Sequence, residues 1–218
     1  MIEARDWDSE VLGRRCGTLI GMPEHGEAAT WDHVIAISDP DDWPRVRQLE
    51  DAGFRLVAQR IQYRGTVYQA GSDEKVLLHR PVRSTWVALA ATTAPLFARS
   101  RFYADPSVTT AQTSELHHRW VWDALRDSRV FVALDAVGHE TGIVIWKPET
   151  DGLRIELIAT LNGVRKQGRA LLYGLGNMLG EHRLIARTQM SNLAAARMYL
   201  AVGMKPIGAD VVHAWSRS

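Results

Sequence analysis

Hydrophobic and polar positions in the second half of the chain follow two periods. Strand-like apolar runs and alternation occur at residues 129–135, 141–147, 153–160 and 184–188. Helical spacing of apolar residues occurs at residues 85–98, 113–126 and 170–181 and in a segment that begins at Asn192. With a final strand pair, the pattern predicts the order helix, helix, three strands, helix, strand, helix, strand.

The first half has a shorter pattern of the same kind. Strands are predicted at residues 17–20, 34–37 and 54–68, and a helix runs from the acidic cap at residues 41–44 to Gly53. The sequence from Leu49 to Phe54 parallels that from Tyr199 to Met204, with Leu49 in the place of Tyr199. We interpret residues 1–80 as a degenerate half-repeat that shapes the acceptor side, and residues 81–218 as the main domain, with a linker at residues 71–74.

Composition narrows the class of protein. The 218 residues carry a formal net charge of +1, which argues against nucleic acid or an anionic membrane surface as the main partner. Cys16 is the only cysteine, so neither a disulfide within the chain nor a thiolate metal cluster is expected. No run of residues has the length and apolar character of a membrane span. These features predict a cytoplasmic protein.

Residues 165–172 carry the clearest candidate chemistry. They join the strand at 153–160 to the helix at 170–181, and Gly168 leaves the backbone bare for close approach. Unpaired N–H groups and the positive dipole end at the start of a helix favour an anion there. Arg165, Lys166 and Arg169 add positive charge. The segment therefore predicts a phosphate site.

Two motifs resemble the GCN5-related N-acetyltransferase (GNAT) superfamily. The spacing Arg165-x-x-Gly168-x-Ala170 is similar to its pyrophosphate loop, and residues 192–204 are similar to its Asn-x-x-Ala-x-x-x-Tyr-x-x-x-Gly-Phe signature, with Met204 in the last place. The resemblance implies an α/β (α+β) fold, with a mixed, largely antiparallel sheet splayed between two parallel strands and flanked by helices. It also implies acetyl-CoA as co-substrate and no metal. The implied cofactor contacts are Ile158, Thr160, Arg165, Lys166, Gln167, Gly168, Arg169, Ala170, Leu171, Asn192 and Arg197.

The same resemblance implies that Tyr199 is the general acid, although its helical face also fits a buried core aromatic. Glu156 is the candidate general base, because alternation along the strand places Arg154, Glu156 and Thr160 on one face. The alternative for Glu156 is a solvated carboxylate paired with Arg154. Other candidate bases are the histidines at positions 117, 118, 139 and 213.

Scattered blocks over most of the chain resemble more specifically the N-acetyltransferases that act on TDP-fucosamine in bacterial surface-polysaccharide synthesis. These blocks are residues 7–13, 49–57, 100–102, 120–126 and 188–192 with the chain end. The resemblance implies a nucleotide-linked amino sugar as acceptor and a homodimer. Arg101 and Tyr103 are the candidate acceptor contacts, to a diphosphate or a base. A free small amine as acceptor and a non-catalytic protein that binds CoA are the alternatives.

Overall fold

The computed structural model describes residues 1–22, 24, 26–68, 78–97, 100–161 and 167–217. The strands are β1 (Ile2–Ala4), β2 (Cys16–Leu19), β3 (His33–Ser38), β4 (Arg55–Thr66), β5 (Leu78–His79), β6 (Val130–Leu134), β7 (Glu140–Glu149), β8 (Gly152–Thr160), β9 (Arg183–Gln189) and β10 (Lys205–Ser216). The helices are α1 (Asp6–Leu12), α2 (Trp43–Asp51), α3 (Trp86–Thr93), α4 (Arg101–Ala104), α5 (Thr110–Arg126), α6 (Gln167–Leu179) and α7 (Leu193–Ala201). The predicted linker at residues 71–74 lies outside the described residues.

Internal contacts divide the chain into two compact units. The first comprises Met1–Ile61, Ala98–Leu116 and Ala209–Ser218, and the second comprises Gln62–Phe97 and His117–Gly208. Along the chain, β4, α5 and β10 each begin in one unit and end in the other. The sequence-based division into residues 1–80 and 81–218 remains a prediction.

In the first unit the strand order is β1-β2-β3-β10-β4. β2 and β3 are parallel, while β1 with β2 and β3 with β10 are antiparallel. The helix α2 places Leu49 in a buried cluster with Val34 and Ala36 of β3. Asp42 caps this helix by accepting a hydrogen bond from the backbone N–H of Arg45 at 3.2 Å, as the acidic cap predicts.

In the second unit the order is β4-β9-β8-β7-β6-β5. β8 and β9 are parallel, and β5 to β8 pair antiparallel in sequence order. On one face Ile143 packs in a core with residues of α3 and α5. On the opposite face a Cβ at Gly142 would lie 2.9 Å from Leu171 Cδ1 of α6. Since neighbouring residues of a strand point to opposite faces, the sheet lies between these helices.

The internal repeat predicted from the sequence is also visible in the backbone. Equivalent residues lie 150 positions apart, as Asp42 and Asn192 do. The helices α2 and α7 both have nine residues, and the strands β4 and β10 both have twelve. Gly53 and Gly203 both have φ +85°. After each glycine, the backbone N–H of Phe54 or Met204 donates to the carbonyl at position 49 or 199, at 2.9 and 3.0 Å.

Two differences from the predicted elements lie near the end of the chain and at the start of α6. The last segment is one strand, β10, rather than a strand pair. The helix after β8 begins at Gln167, three residues before the predicted Ala170, so Gln167 and Gly168 belong to its first turn. None of the helices among the described residues is long and apolar enough to span a membrane.

Acid should destabilise the first unit through His33. Its ring is 2% exposed, its Nε2 lies 3.5 Å from Asp105 Oδ2, and burial lowers its pKa from 6.5 to about 4 against the opposing effect of Asp105. Between these values the unfolded chain binds a proton that the folded chain does not, so stability falls as pH falls. We expect the free energy of unfolding to lose roughly 2–3 kcal/mol from this group between pH 7 and pH 4. In denaturant titrations, His33→Gln should lose less over the same range, and equal losses would contradict this assignment.

Candidate functional site

The parallel strands β8 and β9 separate partway along their length. Their paired residues are Leu153 with Leu184, Arg154 with Ile185, and Ile155 with Ala186. Beyond these pairs β8 continues to Thr160 and β9 to Gln189. The predicted splay is therefore present, and it leaves the edge of β8 from Glu156 to Thr160 without pairing to β9. We call the space beside this unpaired edge the slot.

A β-bulge at Glu156 coincides with the start of the splay. On β7, Trp146 pairs with Ile155 and Ile145 pairs with Leu157, which leaves Glu156 as the extra residue. The bulge shifts the alternation, so Thr160 shares a face with Ile155 rather than with Arg154. The prediction that Arg154 and Thr160 lie on one face is wrong for this reason.

Ile158 and Thr160 lie on the sheet face that α6 covers, because they pair with Val144 and Gly142 of β7. In the first turn of α6, Gln167 Nε2 donates to Thr141 Oγ1, and Gln167 Oε1 is buried with no hydrogen-bond partner among the described residues. Arg169 is half-buried, while Ala170 and Leu171 are buried. Arg165 and Lys166 lie outside the described residues.

Gly168 brings the first turn of α6 against α7. A Cβ at position 168 would lie 2.3 Å from Met198 Sδ, so only glycine fits without moving Met198. Asn192 caps α7 by accepting a hydrogen bond from the Ala195 N–H at 3.3 Å, which confirms its capping role. Arg197 is exposed on the same helix. The residue after Met198 is Tyr199, so this contact places the Tyr199 segment beside the start of α6.

Tyr199 is 3% exposed, and its ring centroid lies 5.3 Å from that of Tyr63, which is equally buried on β4. Burial, and to a lesser extent Tyr63, raises the pKa of Tyr199 above that of an ordinary tyrosine. The phenol is therefore neutral, a hydrogen-bond donor, throughout the physiological pH range.

Glu156 lies among cations. Its carboxylate is 2.7 Å from Arg129 Nη1, 3.6 Å from Lys147 Nζ and 3.9 Å from Arg154 Nη2, with 12% of the side chain exposed. The ion pair with Arg154 that the sequence offered as an alternative is present but is the longest of the three. The contact with Arg129 could not be predicted from the sequence, because Arg129 lies just before β6 and 27 positions from Glu156.

The two candidate acceptor residues lie in the first unit, on α4. Arg101 is largely buried, with its guanidinium 3.8 Å from Asp8 and 4.0 Å above the ring of Phe102. Burial lowers the pKa of Arg101 to about 10, opposed by Asp8. Tyr103 is half-buried.

The alternative histidine bases have different environments. His117 is fully buried and stacks on Phe97 and Trp120. His139 is exposed and faces Asp135 at 3.3 Å. His213 is 1% exposed on β10 in the first unit, and burial lowers its pKa. His117 and His213 are therefore shielded from solvent, and His139 is a surface residue.

Sequence reasoning missed Tyr63 and Thr141, which contact Tyr199 and Gln167 from distant parts of the chain. Neither belongs to a motif. The repeat did not reveal the contact of Tyr63 either, because β4 follows α2 in the chain but Tyr63 packs on Tyr199 of α7.

Solved structures share this fold. A GCN5-related N-acetyltransferase from Sphaerobacter thermophilus aligns with 84% of this chain at 18% identity and a TM-score of 0.56, and 59% of its own length is covered. A conserved protein of unknown function from Staphylococcus epidermidis aligns with 97% of this chain at 14% identity and a TM-score of 0.61, with 89% of its length covered. A fungal GCN5-related glucosamine N-acetyltransferase region aligns with 98% of this chain at 14% identity and a TM-score of 0.57, and 30% of that protein is covered.

No protein-family model and no curated protein sequence matches the chain. The structural likeness establishes the GNAT fold, with its mixed sheet and flanking helices, and confirms the predicted fold class. The chain spans less than two thirds of the Sphaerobacter protein, so activity, substrates and partners are a matter for proposal.

Replacing Gly168 should disturb the packing of α6 on α7. Gly168→Ala places a methyl group against Met198 Sδ, near the end of a flexible, half-buried side chain that can move. Because alanine also favours the helix more than glycine does, we expect a net loss of at most about 1 kcal/mol of unfolding free energy. Met198→Ala in the same chain should recover part of that loss. The control is Gly208→Ala, because a Cβ there meets nothing within 4 Å. Equal stability of the two alanine variants in denaturant titrations would show that the contact does not constrain position 168.

Proposed function

We propose that this chain is an acetyl-CoA-dependent N-acetyltransferase, which transfers acetyl directly to the amine of a nucleotide-linked amino sugar in a ternary complex. The observation that carries the proposal is the splay of β8 from β9, directly followed by a helix whose first turn contains Gly168. A strand edge without a neighbour offers backbone hydrogen bonds to an extended ligand. The unpaired N–H groups at a helix start bind a phosphate, and Gly168 lets Met198 of α7 pack against this turn.

The residues present fit this cofactor. The edge of β8 from Glu156 to Thr160 would hydrogen-bond the pantetheine arm and orient it along the slot. The N–H groups of the first turn of α6 would hold the pyrophosphate, together with the charges of Arg165, Lys166 and Arg169. Asn192 and Arg197 would contact the cofactor from α7. Acetyl-CoA, when bound, supplies the acetyl group as a thioester.

Tyr199 is the proposed general acid, and it acts by donating a hydrogen bond from its Oη. Its raised pKa keeps the phenol neutral, so it can donate a hydrogen bond to the departing sulfur as negative charge develops there. Because full proton transfer from so weak an acid is unfavourable, stabilisation by the hydrogen bond is the larger part of this role. Glu156 is the proposed base for the acceptor amine, directly or through a water molecule, with Arg129 fixing its carboxylate.

The acceptor class rests on the scattered resemblance to TDP-fucosamine acetyltransferases. An amino-sugar acceptor is also consistent with the fungal glucosamine N-acetyltransferase region, whose fold this chain shares. Arg101 and Tyr103 are proposed to contact the nucleotide part. The homodimer remains a prediction.

Tyr199→Phe should lower kcat about tenfold to a hundredfold, because the variant keeps the ring but loses the donor. Coenzyme A affinity, measured by calorimetry, should stay within about twofold, since the phenol acts only as sulfur charge develops. Unchanged kcat would make Tyr199 a core residue without a catalytic role.

Acceptor choice is tested by supplying acetyl-CoA with TDP-, UDP- and GDP-linked amino sugars and with free amines. We expect the highest kcat/KM on a nucleotide-linked sugar, with free amines at least tenfold lower, because a site for the nucleotide adds binding energy that free amines lack. Free amines reacting equally well would contradict the acceptor class. Binding of coenzyme A without transfer to any amine would contradict the enzymatic activity.

A further inference from the structure

Tyr63 is a buried phenol beside Tyr199 that the proposed transfer leaves without a role. It lies on β4, which neighbours β9 in the sheet of the second unit. Its ring is 3% exposed and inclined by 38° to that of Tyr199, at a centroid distance of 5.3 Å. Tilted aromatic pairs at this separation attract each other beyond the gain from burial alone.

The backbone around this pair fixes the position of β4 against the end of α7. Gly65 shares the face of β4 with Tyr63, and a Cβ at position 65 would lie 2.7 Å from Met204 Cα and 3.2 Å from the Gly203 carbonyl oxygen. The strand thus contacts the end of α7 directly. Since Met204 N–H donates to the Tyr199 carbonyl, the backbone of Tyr199 is tied to the same contact.

The first unit provides a comparison within the chain. Leu49 and His213 lie in that unit, 150 positions from Tyr199 and Tyr63 of the second unit. Both are buried, and neither ring nitrogen of His213 has a hydrogen-bond partner among the described residues. In the first unit β2 pairs with β3 along its whole length, without a splay. The two phenols therefore occur together in the unit that has the slot.

We propose that Tyr63 is a positioning residue for Tyr199, which fixes the orientation of the Tyr199 ring and so aims its hydroxyl. The inference rests on the proposed acetyl transfer. A ring held by packing loses little rotamer freedom when the reaction requires it in one place. The neighbouring phenol also opposes ionisation of Tyr199, which preserves the donor.

A double-mutant cycle tests this role. Tyr63→Leu should lower kcat about tenfold while the KM for acetyl-CoA stays within about twofold, and Tyr63→Phe, which keeps the ring, should retain at least about a third of kcat. In the Tyr199→Phe background, Tyr63→Leu should change kcat less than about twofold, because the hydroxyl to be aimed is gone.

Tyr68→Leu controls for the loss of a tyrosine ring elsewhere in the second unit. The ring of Tyr68 lies tilted at 37° to that of His182, with centroids 4.7 Å apart, in the same unit, but Tyr68 is 65% exposed and does not contact Tyr199; its loss should leave kcat within about twofold. Thermal unfolding of every variant reports whether it is folded. If Tyr63→Leu does not fold, Tyr63→Met, which fills more of the space, takes its place in the cycle.

A second measurement needs no turnover. In protein without ligand and with tyrosines labelled at Cζ, the Tyr199 carbon signal, identified by its loss in Tyr199→Phe, should be single and sharp. It should broaden or split in Tyr63→Leu but not in Tyr68→Leu. An equally sharp single signal in Tyr63→Leu would overturn the inference.

The two hypotheses fail in different ways. If the protein transfers acetyl but Tyr63→Leu lowers kcat by the same factor with and without Tyr199→Phe, the role of Tyr63 is overturned and the proposed function stands. If the unmodified protein neither binds coenzyme A nor transfers acetyl, the proposed function fails, and the role of Tyr63 fails with it.

Discussion

The loss of pairing between β8 and β9 after three residue pairs is the constraint on which the candidate site depends. Parallel strands normally satisfy each other's backbone groups along their shared length. Here the bulge at Glu156 bends β8 at the point where pairing ends, and the edge beyond it is left to other partners. Since α6 follows β8 and α7 follows β9, opening the strands also sets where both helices begin. Gly168 and Met198 then bring the two helices into contact.

The two units of the chain show what the splay adds. They share helix length, cap and the glycine after the helix, which are features of local backbone chemistry. They differ in the residues around these shared features. The first unit has a short 3-10 helix, Glu27–Thr30, between its parallel strands, where the second has the thirteen residues of α6. The first unit also has Leu49 and His213 where the second has Tyr199 and Tyr63. The shared features are thus structural, and the candidate chemistry depends on residues that only the second unit contains.

Much of this architecture follows from the sequence because it is encoded locally. Alternation predicts β6 to β9, and the caps at Asp42 and Asn192 and the glycines after α2 and α7 predict the repeat helices. The bulge at Glu156 could not be predicted, because it depends on which residues of β7 lie opposite β8. Regular alternation was the simplest interpretation of the β8 sequence. Tyr63 was missed for a related reason. Its contact with Tyr199 joins positions 136 residues apart (63 and 199), and no local pattern specifies which strand will pack against the end of α7.

Amide hydrogen exchange of β8, with and without coenzyme A, tests whether the slot binds the cofactor. We expect that N–H groups between Glu156 and Thr160 that face β9 exchange readily in the free protein, because they lack a strand partner. Coenzyme A should slow their exchange, along with that of the first turn of α6, and leave the paired segment from Leu153 to Ile155 unchanged. Protection confined to other parts of the chain, or no change on adding the ligand, would contradict the claim that the slot is the cofactor site.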